Sequence, residues 1–273
     1  MLLKKIATLA LLLTVGLRAE TDPAAYQKQQ KDIERRESRE LQKVDQAEEQ
    51  ERIKVRTRER DELAKVQRDA LVTTGAATAT VVATGSMATL DYAKLAAIKF
   101  AEDEVRNMVQ NQLNPEVATR FTRDRNAINR KYALERAKLD AQQIEGDDAA
   151  KQRDQAAKNA EITAKYQAQL DDLNLEQETE AAKLRFTHTT KVNAAERDLA
   201  VLTTKHLMEQ AGKGAAAVYN PMTDPEYTRL AAVRDAAKSA LETALDELRA
   251  KINARRTDIE NAREDEQAKA AGG

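Results

Sequence analysis

The chain has 273 residues, one-third of them charged, with a formal net charge of −1, 3% aromatic residues, no tryptophan and no cysteine. Abundant Ala, Glu, Lys, Arg and Gln with few Gly and Pro is the composition of long helices and coiled coils. It excludes a thick globular core, which needs many more large apolar side chains, and it excludes disulfides and thiol nucleophiles.

Residues 1–19 read as an export signal. Lys4 and Lys5 form a positive region, Ile6–Gly16 an apolar run too short to span a bilayer, and Leu17-Arg18-Ala19 a cleavage site before Glu20. Leu17 departs from the small-residue preference at the third position before the cut, which leaves an uncleaved anchor as the alternative. With no cysteine after the apolar run and no Asn-x-Ser/Thr sequon, the expected location is the periplasm or exterior of a bacterium.

Residues 20–69 are expected to form a charged coiled-coil helix, with the first helix drawn over 23–72. Three blocks of eleven residues align without gaps, opening on Ile33, Val44 and Val55 and leading to Val66. Eleven residues make three turns at about 3.67 per turn, so this hendecad seam runs nearly straight along a helix and calls for a second helix against it. Residues 27–69 carry 13 basic and 12 acidic side chains. The pairs Arg36–Glu40, Glu48–Arg52, Arg58–Glu62 and Asp61–Lys65 have the spacing of ion pairs within one helix. Nucleic acid is not an expected partner: the segment has no net positive face and no aromatic platform after Tyr26.

Residues 70–112 combine an uncharged segment with an amphipathic helix over 87–112. From Ala70 to Leu90 there are 21 residues without a charge, among them six Ala, six Thr and three Val. Gly75, Ala79 and Ala83 recur every four residues, the spacing that lets another backbone approach closely. With Val81, Val82 and Gly85 they define a candidate tight-packing or membrane segment. A third reading, from the β-branched residues of Thr78–Thr84, is a short extended stretch. An uncharged tip before an amphipathic helix resembles the general layout of helical pore-forming toxins, with no motif in common.

Residues 115–211 are expected to form a helical hairpin turning near 145–147. Asp22-Pro23, Asn114-Pro115-Glu116 and Asp224-Pro225-Glu226 look like helix starts, with Asn or Asp as N-cap and Pro at the first position. Gly146 ends one helix and Asp147 caps the next, giving helices over 115–144, 148–211 and 225–268 around a 212–224 loop, with a disordered tail at 269–273. The seam continues through Val117, Ile128 and Leu139, then Ile162, Leu173 and Leu184, each spaced by eleven, as are Phe121 and Tyr132. In the last helix it changes to a heptad pattern: Leu241, Leu245, Leu248, Ile252 and Ile259.

No chemistry suggests itself. His188 and His206 are 18 residues apart on one helix, about 27 Å along it, too far to share a metal. The acidic clusters at 147–148, 171–172 and 264–266 lack the loop that folds oxygens around Ca²⁺. Gly212-Lys213-Gly214 lacks the remaining residues of a phosphate loop. No enzyme, cofactor or metal is expected.

The fold class is therefore all-α: an elongated bundle of long antiparallel helices or coiled coil with hendecad and heptad seams. The expected function is structural, an exported scaffold that self-associates or holds helical protein partners. The alternative is a membrane-active protein inserting residues 70–101. A periplasmic chaperone or secretion-apparatus component is the third reading.

Overall fold

A computed structural model describes residues 23–81, 87–211 and 219–272, without the side chains of 70–96, 208, 210–211 and 272. The described chain is all-α, with no strand. Helix α1 is Pro23–Val81, α2 Met87–Met108, α3 Asn114–Ala141, α4 Ala149–Ala211 and α5 Pro225–Gly272. A single π turn, Val109–Leu113, joins α2 to α3, and a 3₁₀ turn, Pro221–Thr223, precedes α5.

Two starts follow the proline logic. Pro23 opens α1. Asp224, in extended conformation, caps α5: its Oδ1 accepts the Glu226 and Tyr227 N–H groups at 2.8 and 3.2 Å, ahead of Pro225 at the first helical position. The third start is corrected. Asn114 is helical (φ −64°, ψ −45°) and is no N-cap, and the helix passes through Pro115 without a break. Pro115 has no N–H to donate, and its ring collides with the carbonyl four residues back in a regular α-turn. The chain absorbs this with the π turn, in which the Asn114 N–H reaches Val109 O, five residues back.

Helix α1 also runs past the charged segment, to Val81. Ala and Thr continue it through Gly75 at a cost of about 1 kcal/mol for the glycine. This places 78–81 of the suggested extended stretch in a helix. The turn between α3 and α4 holds Gly146 at φ +122°, where a side chain would be strained. The cap expected from Asp147 is replaced by a backbone bond from the Ala149 N–H to Gly146 O at 3.1 Å.

The helices contribute to two compact units. The first gathers Met1–Lys43, Arg125–Gln169 and Glu260–Gly273; the second gathers Val44–Asp124 and Leu170–Ile259. In the first unit α1 and α3 are antiparallel: Tyr26 bonds Asp140, Arg36 bonds Glu135 and Glu40 bonds Lys131. Ile33, Tyr132 and Leu139 form its core, with Ile128 and Tyr26 against it. In the second unit α2 lies antiparallel to α4 through Phe100–Arg197, Glu104–Asn193 and Asn107–Thr190. There α5 lies antiparallel to α4 from Leu199–Leu230 to Glu176–Arg255. Ala181, Ala182, Ala195 and Ala237 are buried, so α-helices make seams here with few large side chains.

Candidate functional site

The seam residues come first. Ile33, Val55, Leu139, Leu173 and Ile252 are buried, and Val44, Val66, Val117, Ile128, Ile162, Leu184, Leu241, Leu245, Leu248 and Ile259 are partly buried. Ile33, Ile128 and Leu139 meet in one cluster, and Val55, Val117 and Phe121 line one groove. Of the uncharged segment, Gly75, Ala79 and Val81 lie on the α1 backbone, whereas Val82, Ala83 and Gly85 lie outside the described residues.

The charged side chains are used differently from expectation. Glu48–Arg52 is a pair within α1 at 2.6 Å. Arg36 and Glu40 do not pair with each other but reach across to α3, and neither Arg58–Glu62 nor Asp61–Lys65 forms. The physical reason is position: Arg36, Glu37 and Glu40 flank the Ile33 seam, where a charge on the facing helix is as near as one four residues along. Arg136 donates to both Glu37 oxygens from its two terminal guanidinium nitrogens, at 2.7 and 3.0 Å.

Two clamps in the first unit share one design. The Tyr132 hydroxyl donates to Glu40 at 2.7 Å while Lys131 Nζ donates to the same oxygen at 2.8 Å and lies 4.7 Å from the Tyr132 ring centre. The Tyr166 hydroxyl and Lys165 Nζ do the same to Glu266, at 2.7 and 2.6 Å. Each clamp lets a buried tyrosine keep its hydroxyl satisfied while a lysine covers its face. The lysine bond first, then the tyrosine bond, holds both carboxyls below their ordinary range.

In the second unit the described helix ends gather on one side. Phe100 lies against Arg197, and from there α2 runs back to Met87 over about as many residues as α4 runs forward to Ala211. Gln67 bonds Glu102 at 3.5 Å, which carries α1 toward Val81 in the same direction. The end of α1 and the start of α2, both from the uncharged segment, thus share one end with the last turns of α4 and residues 219–224. Leu207 (54% exposed), near the end of α4, and Met222 (80% exposed), in the 3₁₀ turn, stand there.

A polar knot ties the connection together. His206 stacks on Tyr219 with ring centres 4.5 Å apart, its Nε2 is 2.9 Å from Asp224 Oδ2, and the Tyr219 hydroxyl donates to that same oxygen at 3.0 Å. Burial, then the bond to Asp224, pushes the Tyr219 hydroxyl up to about 12. Burial works to raise Asp224, but the Glu226 and Tyr227 N–H groups and the Tyr219 hydroxyl outweigh it and hold the carboxyl below its ordinary value.

The Tyr219 contribution is complete below its ordinary 10.0 and is lost as pH rises toward about 12. The Glu40, Glu266 and Asp224 contributions are complete above the ordinary carboxylate values and are lost as pH falls below them. Tyr219→Phe is expected to flatten the alkaline fall in urea midpoint between pH 10 and 12, and Glu40→Gln with Glu266→Gln to flatten the acid fall below about pH 4.5. Unchanged slopes would place these groups in water.

His188 serves packing: its Nδ1 lies 3.2 Å from Ala237 O. Among the described residues no three His, Asp or Glu side chains are arranged to hold a metal ion. The clamps were missed from sequence, although a Lys-Tyr dipeptide recurs 34 residues apart, at the same offset as Ile128 to Ile162 and Leu139 to Leu173. No protein-family model matches the chain, and comparison with curated proteins and with solved structures finds no match.

Proposed function

We propose that this is an exported, non-enzymatic coiled-coil protein that works as a scaffold in the bacterial envelope or outside the cell, by self-association or by holding helical partners. One observation carries the reading. Tyr26, Tyr132 and Tyr166, with Arg36, Arg136 and Arg255, join one helix to another through carboxylates, as in the two lysine–tyrosine–glutamate clamps. Hendecad and heptad seams such as Val44, Val66, Leu245 and Leu248 remain partly exposed, which is what a further helix would cover. Sedimentation velocity of residues 20–273 is expected to give an extended particle heavier than one chain. A compact monomer at all concentrations would end the scaffold reading.

The second reading is a membrane-active protein. It draws support from the convergence of the uncharged segment with Leu207 and Met222 at one end of the second unit. No helix among the described residues is long and apolar enough to cross a membrane, so this reading takes the form of contact at the lipid surface. Liposome flotation of residues 20–273 that is lost on deleting 70–90 would favour it over the scaffold.

A further inference from the structure

In the second unit a half-open groove of about 690 Å³ runs between α3 and α4, beside the π turn. π turns inserted in α-helices recur at functional sites because the widened turn moves side chains off the regular helical face. Here the insertion sets Asn111 and Pro115 at one end of the groove, opposite Phe186 on α4. From Asn111 to Arg123 the groove side of α3 spans about 18 Å at a rise of ~1.5 Å per residue.

The lining is graded along its length. The end at Pro115 and Phe186 carries no charge and also holds Asn111, Gln112 and Thr187, with buried Ala182 one turn back along α4. One carboxylate, Glu116, directly follows Pro115, and Lys183, next to Ala182, is paired with Glu180 at 2.7 Å. The far end holds Arg120 and Arg123. Arg120 lies 5.3 Å from the Phe121 ring centre and its charge also acts on Glu51 of α1, so Arg123 is the less committed of the two. Arg123 has neither an ion pair nor a hydrogen bond among the described residues. The Thr179 hydroxyl at the same end donates to Leu175 O at 2.8 Å, which leaves the arginines as the donors for an anionic head group.

We propose that this groove is a binding site for a long-chain carboxylate, with the alkyl chain along Pro115, Ala182 and Phe186 and the head group at Arg120 and Arg123. Charge complementarity selects this occupant. A partner helix lays an apolar stripe flanked by charges along its whole length, whereas this groove is uncharged at one end, around Pro115 and Phe186, and cationic at the other. That gradient matches a molecule with a tail and a single anionic head. Two guanidinium groups at one end also suit a carboxylate better than they suit a neutral lipid.

The test is isothermal titration of residues 20–273 with dodecanoate, its methyl ester and acetate. Dodecanoate is expected to bind at one site with a dissociation constant on the order of 10–100 μM. The methyl ester, lacking the charge, and acetate, lacking the tail, should each bind at least about tenfold more weakly. Arg123→Glu reverses an exposed charge and leaves the seam alone, so it should weaken dodecanoate about tenfold with an unchanged helical spectrum. Ala182→Trp should fill the groove and abolish binding, while Leu207→Glu, at the helix ends, should leave binding unchanged.

No binding of dodecanoate overturns the proposal, and so does binding that is indifferent to Arg123→Glu. Equal binding of the methyl ester would replace the carboxylate by a neutral lipid and remove the role of the arginines. Loss of binding on Leu207→Glu alone would move the site to the helix ends.

Discussion

Ile252→Ala is expected to lower stability by about 2–5 kcal/mol, while Ile53→Ala changes it by no more than about 0.5 kcal/mol. Ile252 is fully buried, at 0% exposure, and Ile53 is 51% exposed. Arg255 and Arg256, a turn along from Ile252, reach Glu176 and Asn174 on α4, beside buried Leu173 and Leu175. Truncation therefore opens a cavity in a seam made of a few side chains. A thick core relaxes around a lost methylene by moving several layers; a seam one residue wide has none to move, so the upper part of the range applies. Ile252→Val, removing one methyl group, should cost about 0.5–1.5 kcal/mol. Urea unfolding followed by circular dichroism measures all three. An Ile252→Ala value no larger than that of Ile53→Ala would mean that this turn of α5 does not pack on α4.

The helices were legible in the sequence because their limits are set locally. Asp224-Pro225-Glu226 acts through backbone N–H groups two and three residues ahead, and Gly146 through its own backbone angle. Asn114-Pro115 carries the same signature and means something else. Val105, Val109 and Val117 keep an apolar stripe running through it, and a helix held by that stripe accommodates proline with a π turn rather than stopping. Local chemistry cannot say which outcome prevails; packing of Val109 and Phe121 does.

The interhelical chemistry was less legible for a related reason. Arg36 and Glu40 have the spacing of a pair on one helix, but Lys131, Glu135 and Tyr132 compete for them from α3. Which partner is taken depends on the register between two helices, and the seam residues set that register without naming the pairs. The groove beside Arg123 was invisible for the same cause, since it needs α3 and α4 placed side by side.

Asn107→Ala is expected to cost about 2–3 kcal/mol, although asparagine is among the poorer helix formers and alanine the best. Asn107 is only 2% exposed. Its Nδ2 donates to Thr190 Oγ1 at 3.0 Å and Phe186 O at 3.3 Å, and its Oδ1 accepts from Asn111 Nδ2 at 2.8 Å. Removing the amide leaves the Asn111 and Thr190 groups, both partly buried, without that partner, and an orphaned group loses its full solvation. The gain in helix propensity, about 0.7 kcal/mol at most, is smaller than that loss. Replacing the whole network by Asn107→Leu, Asn111→Leu and Thr190→Val should recover at least half of the lost stability, because apolar groups of similar size carry no unmet bonds. What the triple variant should not recover is the fixed position of the π turn, since Asn111 belongs to it and Asn107 ties it to α4. Amide exchange at 109–113 reads this directly: protection is expected to fall in the triple variant even where the urea midpoint returns. Equal protection in both proteins would mean that Pro115 alone maintains the turn and that the asparagine pair only fills space.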